Sequence, residues 1–60
     1  MQQLIKKMTK ENVENLVCSI WQNEPWGTAP SISDSEIGFY LVMFGFYDSP
    51  QNIAKIRKAL

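Results

Sequence analysis

The residues of this chain that could do chemistry are few and far apart. Cys18 is the single thiol and there is no histidine. A thiolate nucleophile needs a cationic neighbour or a helix N-terminus to draw off its proton, and no basic residue stands near Cys18 in sequence. A partly buried, inert thiol beside an apolar stripe is expected. Glu11 and Glu14 lie one helical turn apart and could act as a carboxylate pair, but on the outer face of a helix such groups are ordinarily solvated. Gly38 and Gly45 lack the spacing of a phosphate-cradling loop. One cysteine and no histidine leave the usual zinc sites without ligands and allow no internal disulfide. Nothing here assembles a nucleophile with its base, a metal site or a cofactor cradle. The sequence therefore predicts no catalytic residues, no metal and no cofactor, and a protein that is not an enzyme.

What remains for function is recognition. Trp26, Tyr40, Met43 and Tyr47 are large side chains that a thin core satisfies least easily, and Trp and Tyr are enriched among interface hot spots. They are the candidate partner-binding residues. For Trp26, in the loop Pro25-Trp26-Gly27-Thr28-Ala29-Pro30, two placements compete. The indole can fold back over Trp21 to cap the core, or stand out as an anchor for a partner.

These residues must be positioned by helices. Val13, Leu16, Val17, Ile20 and Trp21 recur at i, i+3, i+4, i+7 and i+8, the stripe of an amphipathic helix. Thr9 caps it, with Met8 and Val13 as a hydrophobic staple, so a helix over residues 10–23 is predicted. The run Ile37-Gly-Phe-Tyr-Leu-Val-Met-Phe-Gly-Phe-Tyr47 has no charge, amide or proline. Ser33-Asp34-Ser35-Glu36 before it fits a capping box, with Ile32 and Ile37 as its staple, and Asp48-Ser49-Pro50 after it reads as a stop and a new start. A helix over 34–47 follows, with Gly38, Val42 and Gly45 on a small-residue face open to another backbone. Pro50 opens a third helix, 50–60, capped by Ser49 or Asp48, with Ile53, Ile56 and Leu60 inward and Lys55, Arg57 and Lys58 near its C-terminal end. Residues 1–8 suit a short strand or a helical turn equally, and are left open.

The fold class predicted is all-α, a single small three-helix domain enclosing Leu16, Val17, Ile20, Leu41, Phe44, Ile53 and Ile56. At 60 residues its core is thin, because a domain of that size buries only about 60% of what its unfolded chain exposes. The central helix is apolar almost all round and its companions cannot cover it. Some of Phe39, Tyr40, Met43, Phe46 and Tyr47 must meet water or another chain. Symmetric pairing into a homodimer is expected, with cover by Leu4, Ile5 and Met8 of the same chain as the competing solution.

Formal net charge is zero, which gives no general attraction to nucleic acid or an anionic membrane. The eleven-residue apolar run is too short for a membrane span of about 20 residues, and the start lacks the apolar core of a signal peptide. A soluble, cytoplasmic protein is expected. All six acids lie between Glu11 and Asp48, a stretch without a base, and helix capping accounts for most of that pattern. The predicted function is a small regulator or inhibitor, of the phage-encoded or antitoxin-like kind, that binds a larger protein one to one. The alternative is a helix-turn-helix DNA binder reading with helix 50–60, through Lys55, Arg57 and Lys58.

Overall fold

A computed structural model describes residues 7–60, and they form a small all-α domain of three helices. The first, α1, is Lys10–Asn23. Thr9 Oγ1 accepts from the Asn12 N–H at 3.2 Å, which satisfies one of the donors that a helix start leaves without partners, and the Thr9 carbonyl accepts the first intrahelical bond from Val13 N–H at 3.0 Å. Leu16 and Ile20 are fully buried, Val13 and Val17 pack beside them, and Trp21 at the end of the predicted stripe is exposed. A short 3-10 helix, Ala29–Ser31, interrupts what composition marks as loop.

The second helix, α2, is Asp34–Met43 and ends four residues before the predicted limit. Its stop is a Schellman motif. Gly45 takes φ +88°, its N–H donates to the Val42 carbonyl at 3.0 Å, and Phe46 N–H donates to the Leu41 carbonyl at 2.9 Å. Gly45 is thus the left-handed residue past the helix end, where a Cβ would be strained. This reversal rearranges the aromatics. Phe44, expected in the core, is exposed, and Phe46 is buried in its stead, as Leu41 is on the last turn.

The third helix, α3, is Pro50–Ala59. Ser49 is its cap, accepting from Asn52 N–H at 3.3 Å. Ile56 is buried, Ile53 and Leu60 are partly so, and α3 lies against both α1 and α2. Gly38 permits one close approach: a Cβ there would stand 3.2 Å from Asp48 Cβ and 3.9 Å from Ile53 Cδ1. Of the expected small-residue face, Gly38 alone is approached, by side chains of the connection and of α3; Val42 is exposed, and Gly45 lies past the helix end with nothing within 4 Å of its Cβ position. The core comprises Met8, Leu16, Ile20, Ala29, Ile32, Ile37, Leu41, Phe46 and Ile56. Met8 is part of this core, while Phe39 and Met43 of the patch that fold-back would cover stay exposed; Leu4 and Ile5, the rest of the expected cover, lie outside the described residues.

Two polar side chains fix the joints. Asn52 is buried, and its Nδ2 donates to the Tyr47 carbonyl at 2.9 Å, tying α3 to the end of the α2–α3 connection. Arg57 reaches back from α3 to the entry of α2, with Nη2 donating to Asp34 Oδ1 and to the Ile32 carbonyl, each at 2.7 Å, and Nε to Asp34 Oδ1 at 3.0 Å. A planar guanidinium serves these acceptors from separate nitrogens in a fixed fork, whereas an ammonium offers its donors from a single point.

Candidate interaction surface

The exposed side of α2 is built by helical spacing. Phe39 and Met43, four residues apart, stand side by side on one face, 70% and 64% exposed. They form a ridge with a groove along each flank. One groove, about 370 Å³, is lined by Asn23, Glu24, Glu36, Phe39, Tyr40 and Met43. The other, about 260 Å³, is lined by Ser35, Gly38, Phe39, Val42, Met43 and Asp48. Val42 is exposed as well. Each groove carries a carboxylate and neither is lined by a lysine or arginine.

The acids of the larger groove converge on Tyr40. Its hydroxyl donates to Glu24 Oε2 at 2.8 Å, and its ring packs against the core. Desolvation by burial, the hydrogen bond to Glu24 and the negative charges of Glu24 and Glu36 all hold the phenol above its usual pKa. Only half of the expected capping box forms. Ser33 Oγ accepts from Glu36 N–H at 3.2 Å, while the Glu36 side chain lines the groove rather than returning to Ser33.

Of the four candidates predicted from sequence, Tyr40 and Met43 share this groove. Tyr47 is exposed but lines a different groove, with Lys7, Asp48, Ser49, Gln51, Asn52 and Lys55. Trp26 lines none of them. It is 98% exposed, so the indole does not cap the core over Trp21. Its loop is nonetheless fixed. Thr28 N–H and Oγ1 donate to the Pro25 carbonyl at 3.0 and 2.6 Å, Gly27 takes the positive φ of the turn at +82°, and Ser31 N–H and Oγ donate to the Thr28 carbonyl at 3.0 and 2.9 Å.

Against known protein families, characterised proteins and solved structures, the chain matches none. Its own residues carry the reading.

Sequence reasoning missed Glu24 and Glu36 as groove walls. Glu36 could be assigned fully to capping, and Glu24 meets Tyr40 only once α1 and α2 are packed. Cys18, expected to be partly buried, is exposed and accepts from Gln22 Nε2 at 3.6 Å. Its position one step off the stripe suffices to bring it to solvent. No three cysteine or acidic side chains among the described residues come together as metal ligands would, and no helix there is long and apolar enough to cross a membrane.

Arg57 bears on the DNA-binding alternative. Its guanidinium is spent on Asp34 and the Ile32 carbonyl, so only Lys55 and Lys58 of the three bases on α3 stay available for phosphate.

Proposed function

We propose that this chain is a non-enzymatic binding protein that regulates or inhibits a larger protein by occupying its surface one to one. The observation that carries the reading is the Phe39–Met43 ridge of α2, two large apolar side chains left in solvent between two grooves. Exposed apolar area of this kind costs solubility and is characteristic of contact surfaces. Tyr40 and Met43 belong to that contact. Trp26 supports it from a loop whose hydrogen bonds fix the backbone beforehand, so less ordering is required at the moment of binding. Tyr47 extends the contact beyond the α2–α3 connection. A cytoplasmic location fits a chain whose one cysteine is unpaired.

The test is recovery of the tagged protein from cells of its source, with Met43→Glu and Trp26→Ala as companions. A larger protein retained in equimolar amount by the unaltered chain, and lost with either variant while circular dichroism stays helical, supports the reading. Retention unaffected by both variants contradicts it. A gel shift at low salt addresses the DNA-binding alternative: duplex DNA retained, and released by Lys55→Ala with Lys58→Ala, would replace the proposal. Homodimer formation through the same face is the rival use of the ridge. Sedimentation equilibrium decides it, a 6.9 kDa species at high micromolar protein being the monomer.

A further inference from the structure

We infer that the partner's docking element is a basic amphipathic helix, laid along α2 with its apolar side chains in the two grooves and its lysines or arginines against Glu24, Glu36 and Asp48. The inference rests on the proposed binding function and names the chemistry of the partner.

Shape argues for a helix. The Phe39–Met43 pair is an i, i+4 ridge with a groove on either flank, and helices pack by setting such ridges into the grooves of a neighbour. Charge argues for a basic one. Glu36 and Asp48 are exposed, make no ion pair among the described residues and flank opposite sides of the ridge, and Glu24 is held in the larger groove by the Tyr40 hydroxyl. No base lines either groove, and the one ion pair among the described residues, Arg57–Asp34, lies apart from both. Asp48, which also lines the groove of Lys7 and Lys55, adds its charge at the rim. An apolar helix would leave Glu36 without a counter-charge and Glu24 with the Tyr40 hydroxyl alone, and an acidic one would add repulsion. A phosphate backbone or an anionic membrane surface would be repelled for the same reason. A second copy of this chain meeting the face by a twofold axis would bring the same patch, with its acids and no groove-lining base, against itself. A basic helix instead supplies long stems that cover Phe39 and Met43 while their charged ends reach the rim, and the cation can also sit over the Phe39 or Tyr40 ring.

The experiment is display selection of helical peptides, random in sequence, on the immobilised full chain, followed by calorimetry of the winners. Enriched peptides should carry apolar residues at i, i+3 or i+4 with lysine or arginine beside them. Their affinity should fall with rising salt and drop roughly tenfold in the Glu24→Gln, Glu36→Gln double variant, the loss of two rim ion pairs. The amide that Glu24→Gln introduces keeps an acceptor for the Tyr40 hydroxyl, so the fold is spared. Lys58→Ala, at a residue that lines neither groove nor the one beside Tyr47, should leave affinity unchanged. Neutral or acidic winners that still lose binding in Met43→Ala would overturn the basic helix and leave the binding surface standing. Winners indifferent to Met43→Ala would overturn both. Selection of no peptide, or a stable dimer dissolved by Phe39→Glu, would overturn the inference alone, the binding function being decided separately by co-purification.

Discussion

Single residues decide more of this structure than their number suggests, because a domain of about 60 residues has only some 3–9 kcal/mol of stability to lose. Asn52 is the clearest case. Its buried amide donates to the Tyr47 carbonyl, and Asn52→Leu should cost about 0.5–1.5 kcal/mol through the loss of that hydrogen bond. Denaturant titration reads this as a lower midpoint at constant slope. Leu16→Ala, at a fully buried site, should cost about 2–5 kcal/mol and bring the fold to the edge of unfolding. Tyr40 makes a prediction in pH. Its phenol is held above the usual range in the folded chain, so its contribution to stability is complete below roughly pH 10, the unfolded phenol value, and declines as pH rises through the folded one. Stability measured across the alkaline range should show that decline, and Tyr40→Phe should remove this part of it.

At the scale of the elements, helix starts were legible and helix ends less so, for a physical reason. Thr9, Ser33 and Ser49 cap with their own side chains, within three residues, so the signal is local. Gly45 carries no such mark. Sequence permits it as a costly interior residue or as the left-handed stop, and only the burial of Phe46 against the core selects the stop. From that one ambiguity followed the misplaced end of α2 and the exchange of Phe44 for Phe46 in the core. Gly45→Ala should therefore cost about 1–2 kcal/mol despite alanine's helix preference, where an interior glycine would have gained stability. On this chain that is a fall in melting temperature of about 4–8 °C for each kcal/mol. The Arg57 clamp could not be read either, since Asp34 is 23 residues away and the Ile32 acceptor is backbone. Arg57→Lys should lose about 1 kcal/mol, most of it from the contact with the partly buried Ile32 carbonyl, the exposed ion pair to Asp34 being worth little.

For the molecule as a whole, the excess of apolar surface on the central helix was readable from composition, and α2 does keep Phe39, Val42 and Met43 in solvent. Which residues accompany them was not, because the acids of the rim come from the end of α1, from α2 and from the α2–α3 connection, and only packing joins them. If a larger protein sits on this face of α2, the most direct measurement is photo-crosslinking in cells of the source, with a benzophenone amino acid in place of Met43 and, separately, of Lys58. The expected result is one adduct with a larger protein from position 43 and none from position 58. An adduct of twice the chain mass from position 43, or capture from position 58 alone, would contradict it.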